Sequence, residues 1–569
     1  MCGIAGIFSC EQGRPEDIFS IINKLRKRGP DGLGLIQNKN YAIGGTRLSI
    51  TGPETVPIPL FNNNWGIVYN GEIYNIESNP NLTDTQSLLD CLQKNPYSMH
   101  YDGMFAYCFF NINDSLAYLT RDSFGIKPLY YLKSNKELRF CSEVFGLKED
   151  LNNNINLSPQ LLFEYLSIGR SLEDKTLFKD IYSLPTDKIL KLKQNEEFIE
   201  YNFIEKVPKA KKNNVTFLEA LENSVLKCAD TEKPLGLFLS GGIDSTAIAA
   251  ILAKNKVKGL KTFSLLLGED GVPSLDVLDL PGESWKTWKH FTLSPDSDDI
   301  NKAFSKVLDI TSEPCFPMSS IYTYLLSEMA AQENIKVILS GEGADELFLG
   351  YESYLDFIKK GDSEFVNFYL NKSSTEVIAN LIDRGDQGKT VTSQKLYSIA
   401  KQEIGLVNKL LAAEKIVSLR PLLDRIDITS MFHAVEIRVP FLHGDVPSIA
   451  EEMMNVLDVR HIQETKPLLR NELKLILSQS SVTTPKRPLR LNLKEFFHQN
   501  QLEDLFESLN IKEISALLPI SDKKLKSFID KLLNEPTEET LSVAIRLYQI
   551  CYYITRTGVI NNSRVLEEV

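Results

Sequence analysis

The segment PLGLFLSGGIDSTAIAAIL, residues 234–252, decides how this chain is read. A strand-length apolar run meets two glycines and then a run of helical period, so the spacing predicts strand, turn and helix. Gly241 and Gly242 lack a Cβ, which lets the backbone curl and aim successive N–H groups at an anion. Ser240 and Ser245 add hydroxyl donors, and a helix starting near Ile243 turns its positive end to the same point. The unit therefore reads as a phosphate cradle, although SGG alone is also an ordinary capped turn. It is not a Walker loop, because GxxxxGK[ST] is absent and no lysine follows the glycines. Asp244 inside the cradle calls for a bridging cation such as Mg²⁺ between carboxylate and phosphate.

Outward from this unit the texture persists. LKTFSLLL (260–267) and VILS (337–340) are buried-type strands separated by helical stretches, the pattern of a parallel α/β sheet. VILSGEGADELFLGY (337–351) repeats the strand, glycine turn and helix near Ala344. Loops at the carboxyl ends of parallel strands converge, so Glu342, Asp345 and Glu346 are placed to face the cradle, as Mg²⁺ ligands or as a proton acceptor for an attacking amine. Decoration of a helix N-terminus with acids is the plainer alternative. From about residue 395 the pattern is mostly helical. Lys486, in TPKRPLR (484–490), reads on its own as part of a solvated charge run.

Before residue 205 the apolar runs are short and of period two, as in WGIVYN (65–70), MFAYCFF (104–110), LAYLT (116–120) and ILKLK (189–193). Such runs between Gly, Asn and Pro predict antiparallel strands. EKVPKAKKNN (205–214) has the composition of a linker, and NNN (152–154) that of a loop. Two domains follow, 1–205 and 206–569, in keeping with a length of 569 residues. A net charge of −12 with 43% hydrophobic residues is that of an acidic globular protein, which argues against nucleic-acid and membrane partners. There is no signal-peptide n-region and no membrane-length apolar run. The eight cysteines lack CxxC or framework spacing, so free thiols and a cytoplasmic location are expected.

One further stretch, MCGIAGIF (1–8), would pass as a plain first strand except that Cys2 becomes the amino-terminal residue once Met1 is removed. It is followed by RGPDG (28–32), TRLSI (46–50), NGEIYN (70–75), DTQSLL (84–89), RDSFGIKPLYY (121–131), SGGIDST, SGEGADELFLGY (340–351), VEIRVPFL (435–442) and TPKRP. In that order, these motifs resemble the glutamine-dependent asparagine synthetases over nearly the whole chain, and SGGIDST resembles the pyrophosphate loop of ATP pyrophosphatases. The resemblance implies an N-terminal four-layer αββα antiparallel sandwich and a C-terminal parallel-sheet α/β domain of ATP-pyrophosphatase type with a helical C-terminal part. It further implies ATP and Mg²⁺ as cofactors, glutamine and a carboxylic acid, aspartate first, as substrates, and a homodimer as the usual assembly.

By the same resemblance Cys2 is nucleophile and, through its own amine, base. That agrees with elementary chemistry, since an α-amine titrates at about 7.7–8 and a thiolate is the attacking species. Asn70 and Gly71 would form the oxyanion hole. Arg47, Leu48, Ser49, Ile50, Asn70, Gly71, Glu72 and Asp84 would bind glutamine, with Arg47 on its carboxylate and Glu72 and Asp84 on its ammonium. Leu239, Ser240, Gly241, Gly242, Asp244, Ser245, Leu265, Ser340 and Gly341 would bind ATP, Asp244 and Asp345 Mg²⁺. Glu342 would take a proton from ammonia, and Lys486 would stand over developing negative charge. Taken alone, Arg47 and Asp84 could be surface charges, and Asn70-Gly71 a hairpin turn. Ammonia reacts only as NH₃, so an apolar passage between the domains is expected.

The resemblance has gaps. The stretch between NGEIYN and DTQ is short, KRGPD stands for the commoner HRGPD, and SLPTDK replaces a proline-glycine turn. GEDGVPSLDVLDLPGESWKTWKH (268–290) lacks a clear acidic residue followed by a helix, Asp276 being a loose match, and EPCFPMSS (313–320) lacks an aspartate after EP. By the resemblance these segments would face the acceptor, so amidation of another carboxylate, such as a sugar acid or a natural-product acid, is the alternative. Cys2 argues against the ring-closing β-lactam synthetases. A silent binding homologue is disfavoured by the joint presence of Cys2, Asn70, Asp244, Glu342 and Lys486.

Overall fold

The computed structural model describes residues 2–10, 15–52, 56–76, 83–97, 101–148, 161, 164–166, 169, 174–195, 197–205, 215–266, 275–311, 313–314, 318–371, 375–381, 391–458, 462–483, 493–496 and 520–557. The first part of the chain supplies β1 (Cys2–Ser9), β2 (Gly32–Gln37), β3 (Tyr41–Arg47), β4 (Leu60–Asn62), β5 (Trp65–Ile73), β6 (Gly103–Asn111), β7 (Leu116–Arg121), β8 (Tyr130–Lys133), β9 (Glu137–Cys141), β10 (Ile181–Ser183), β11 (Lys188–Gln194) and β12 (Ile199–Glu205). They pair antiparallel into two sheets, ordered β10-β8-β9-β1-β3-β2 and β12-β11-β7-β6-β5-β4.

Residue parity makes the layers. Ile4, Phe8 and Ile43 of one sheet meet Val68, Ala106, Cys108 and Phe110 of the other in a single core. The opposite-parity residues Ala5 and Ile7 pack with Ile18, Ile21 and Ile22 of the helix Pro15–Lys24. On the far side Ile67, Tyr69, Phe105 and Phe109 pack with Leu88, Leu89 and Leu92 of the helix Asp84–Lys94. Helix, sheet, sheet and helix are thus stacked, and each inner strand is covered on both faces. This is why MFAYCFF carries no polar residues: its period of two alternates between two cores instead of between core and water.

The second part builds a parallel sheet from β13 (Leu235–Phe238), β14 (Lys261–Leu265), β15 (Lys289–Leu293), β16 (Val337–Leu339) and β17 (Glu436–Arg438), ordered β15-β14-β13-β16-β17. From β13 the chain proceeds outward to β14 and β15 and then returns to the other side for β16. The order reverses between β13 and β16, the position where ligands bind in open α/β sheets. Both glycine turns leave from these two strands. The helix Ile243–Lys254 behind the first turn is buried almost all round, which explains its nearly unbroken apolar sequence.

Two strands differ from expectation. The stretch 268–290 leads through the short turns Leu275–Leu278 and Ser284–Thr287 into edge strand β15, with no regular helix over its described residues. VEIRVPFL contributes β17, a strand of three wholly buried residues inside an otherwise helical region. The linker 205–214, beyond Glu205, the loop 152–154 and Lys486 lie outside the described residues, as does the side chain of Asp276. The seven described cysteines are free thiols. Among the described residues no helix is long and apolar enough to cross a membrane.

Candidate active site

Two buried centres stand on this scaffold. At the first, β1 places Cys2 opposite Arg47 of β3. The Cys2 backbone nitrogen donates to Asn70 Oδ1 at 3.0 Å across the gap between the sheets. Asn70 and Gly71 lie in the middle of β5, paired with Ala106 and Phe105 of β6, so they form no hairpin turn. Asn70 is fully buried, and its Nδ2 has no hydrogen-bond partner. An orphaned buried amide donor is costly, of order 1–3 kcal/mol, and it leaves a donor free beside the thiol. Gly71 adopts φ +148°, and a Cβ there would lie 2.1 Å from the Met104 carbonyl oxygen, so no other residue fits.

Around this centre Leu48, Ser49 and Ile50 are buried, and the Ser49 backbone N–H donates to Asp31 of RGPDG at 2.8 Å. Arg47 extends a guanidinium nitrogen to the Thr51 carbonyl at 3.3 Å. Asp84 opens its helix, its Oδ1 accepting from the Thr85 backbone N–H at 2.7 Å. Burial pushes the Cys2 thiol pKa up, while the charges of the amino terminus and Arg47 draw it down. Burial likewise raises the carboxyls of Asp84 and of Glu72, the latter to about 8 despite Arg438 3.4 Å away. Arg47 and Asp84 both act electrostatically on Cys2. Residues from β1, β3, β5 and one helix thus converge on one thiol.

At the second centre the two glycine turns touch. A Cβ on Gly341 would lie 2.9 Å from the Cβ of Asp244, which only glycine permits. Gly241 has φ +74°, and the Ser240 and Ser245 hydroxyls lie 3.2 Å apart, with Gly242 N–H donating to Ser240 Oγ at 3.3 Å. Leu239 and Leu265 close the ends of their strands, with Ser340 and Gly341 following β16. The acids divide. Asp345 turns toward the cradle, Glu342 accepts from Arg425 at 2.6 Å, and Glu346 is buried against the Tyr351 hydroxyl.

Lys466 is the residue that sequence reasoning missed. Its ammonium bridges Asp244 and Asp345, 2.8 Å from the latter. Burial works against this charge, but the two aspartates overcome it and hold the ammonium pKa above its ordinary value. A cation wedged between these carboxylates is direct evidence that they converge. Two carboxylates completed by phosphate and water are the donor set Mg²⁺ uses, so the pair fits that ion. Among the described residues no cluster of three or more metal-ligating side chains occurs.

One helix, Arg420–Met431, touches both centres. Asp427 accepts from Arg28 at 2.7 Å and Lys127 at 3.1 Å, and Arg28 Nε reaches the Cys2 carbonyl at 3.5 Å. Burial would raise the Asp427 pKa, yet the two cations bring it below the ordinary carboxylate range. Two residues earlier on the same helix, Arg425 grips Glu342.

Comparison with known proteins matches residues 216–550 to the asparagine synthase family and 1–203 to a glutamine amidotransferase domain. The chain belongs to the asparagine synthase family. Asparagine synthetase [glutamine-hydrolyzing] 1 of Bacillus subtilis (strain 168) is 27% identical over 542 residues, covering 83% of this chain and 84% of that protein. A putative asparagine synthetase [glutamine-hydrolyzing] 2 of Methanocaldococcus jannaschii is 29% identical over 410 residues, covering 63% and 78%. Among solved structures, the allosteric regulatory enzyme of purine biosynthesis is 15% identical with a TM-score of 0.25, covering 48% of this chain and 69% of that one. In this asparagine synthase family member the paired antiparallel sheets form the glutamine amidotransferase domain and the parallel sheet is the synthase half.

Proposed function

We propose that this family member converts aspartate to asparagine with ammonia taken from glutamine, consuming ATP and releasing AMP, pyrophosphate and glutamate. The observation that carries the reading is the helix Arg420–Met431, which joins the Cys2 centre to the phosphate-cradle centre through side chains two residues apart. A hydrolase or a ligase alone would have no need of both.

Removal of Met1 turns the nitrogen that now bonds Asn70 into the α-amine of Cys2. That amine accepts the thiol proton, and Sγ attacks the glutamine carboxamide carbon. Asn70 Nδ2 and the Gly71 N–H receive the oxyanion, ammonia departs with the proton, and water later cleaves the thioester to glutamate. Arg47 would hold the glutamine carboxylate, with Glu72 and Asp84 on its ammonium. In the second half Ser240, Gly241, Gly242, Ser245, Ser340 and Gly341 line the nucleotide phosphates, between Leu239 and Leu265. A carboxylate oxygen of the acceptor attacks the α-phosphorus, pyrophosphate leaves, and ammonia displaces AMP from the acyl adenylate as Glu342 takes its proton. Mg²⁺ on Asp244 and Asp345 would neutralise the leaving pyrophosphate. Lys466 supplies cationic charge at the same point, and Lys486 is proposed over the adenylate.

Pyrophosphate release screened over carboxylic acids tests the reading. Aspartate is expected to give the highest kcat/KM, and no release with aspartate would overturn it. In Cys2→Ala, glutamine hydrolysis is expected to vanish while ammonia-dependent synthesis continues.

A further inference from the structure

Where the two domains meet lies a cavity of about 90 Å³, several times the roughly 10–15 Å³ one water needs. Tyr130, Ser142 and Glu143 line it from the amidotransferase side, Thr311, Glu313 and Arg425 from the synthase side. Arg425 is the group in this wall with unspent binding capacity. It is only 4% exposed, and its guanidinium gives one N–H to Ser319 Oγ and one to Glu342 Oε2 at 2.6 Å, while Nε is buried without a partner. A guanidinium has five donors in a planar fork suited to a carboxylate. A buried cation tied to one acid and one hydroxyl therefore has room for a second acid.

We propose that Arg425 is the specificity residue for the acceptor: it seats the carboxylate that does not react, and Glu342 gives way to it. This rests on the reaction proposed above. Position supports the assignment. In a four-carbon diacid the two carboxyl carbons are separated by roughly 4 Å along three C–C bonds. One carboxylate on Arg425 leaves the other beside Glu342, which is where ammonia must lose a proton. The segment that departs from the family pattern, 313–320, supplies Glu313 to the cavity wall and Ser319 to Arg425. Its divergence thus falls on residues that hold or flank the seat, and the arginine supplies the carboxylate-binding group there. Displacing Glu342 from Arg425 couples acceptor binding to the freeing of the base, so the base becomes available once the acid to be amidated is in place.

The test is steady-state pyrophosphate release with ammonia as nitrogen source. Two probes compete with aspartate: succinate, which keeps both carboxylates, and β-alanine, which lacks the one assigned to Arg425. In the unmodified enzyme succinate is expected to inhibit competitively and β-alanine not to inhibit at equal concentration. Arg425→Gln is expected to raise the aspartate KM and the succinate inhibition constant together, about 100-fold, with the KM for ATP unmoved. Arg425→Lys keeps the charge without the fork, and about a 10-fold rise is expected. It also carries the test if the glutamine variant fails to fold, as judged by its thermal transition. Unchanged aspartate KM and succinate inhibition in either folded variant overturn the assignment alone, as does equal inhibition of the unmodified enzyme by β-alanine. Absence of pyrophosphate release from the unmodified enzyme with aspartate overturns the underlying reaction and this assignment with it.

Discussion

At the scale of single residues, Asn70 and Lys466 show what a sequence can and cannot convey. Asn70 stands in a readable motif, and the structure brings its carboxamide to the Cys2 nitrogen. Asn70→Ala removes one donor from the proposed oxyanion hole, so kcat for glutamine hydrolysis is expected to fall about 100- to 1000-fold, with KM little changed. Steady-state glutaminase assays check this. Lys466 had no such visibility. TKPLLR reads as any lysine ahead of a proline-started helix, and nothing local reveals that it lies over 200 residues from Asp244 in sequence yet in contact with it. Its backbone is left-handed, φ +55°, and its side chain passes close to Gly350, where a Cβ would lie 2.4 Å from Lys466 Cε. Lys466→Met strands two acids without their cation. A loss of about 3–5 kcal/mol in urea unfolding is expected, partly restored by MgCl₂.

At the scale of elements, strands with regular periodicity were legible and those defined by their surroundings were not. WGIVYN and MFAYCFF forecast β5 and β6 because strand-length apolar runs between turn residues suffice. β17 escaped because three residues carry no period, and parallel pairing with β16 alone makes them a strand. The helix Ala344–Phe348 illustrates a further limit. It is only five residues long, and its Glu346, read as facing the cradle, is instead buried. Burial, with Asp345 and Glu342 close by, raises the Glu346 carboxyl to about 8. The sign follows from proton linkage. A carboxyl whose folded pKa exceeds its unfolded value of about 4.3 makes the protein less stable as pH rises through that window. Glu346→Gln, neutral at every pH, is therefore expected to match the wild type near the lower end and gain on it toward pH 8, by up to about 1.4 kcal/mol per pH unit. Thermal unfolding at several pH values measures the difference.

For the whole molecule, the decisive matter is how two chemistries share one chain. The domain contact has two characters. On one side lies the ionic layer of Arg28, Asp427, Lys127 and Glu143, with side chains almost entirely buried. On the other, Leu48, Ile50, Met104 and Ile126 of the amidotransferase half enter the same hydrophobic cluster as Leu239, Ile243 and Leu442 of the synthase half. From the chemistry of NH₃ an apolar passage between the domains is expected; the structure shows an apolar contact there, and beside it ions with no local sequence signal, because residues 28 and 427 are related only by the fold. The apolar side would suit a neutral molecule that must not be protonated, and we propose it as the ammonia route, while the ionic side ties the two halves together. Breaking each should have separate consequences. Asp427→Asn leaves Arg28 and Lys127 short of a partner and is expected to cost about 3–5 kcal/mol of stability. Ile126→Asn puts an amide into the apolar wall, where it must retain water or bind ammonia. Glutamine hydrolysis and synthesis from added ammonia are both expected to persist, while synthesis from glutamine falls, so that glutamate formed per amide product rises from near one to several. Measuring glutamate and asparagine in the same reaction decides the matter: an unchanged ratio in Ile126→Asn would place the route elsewhere.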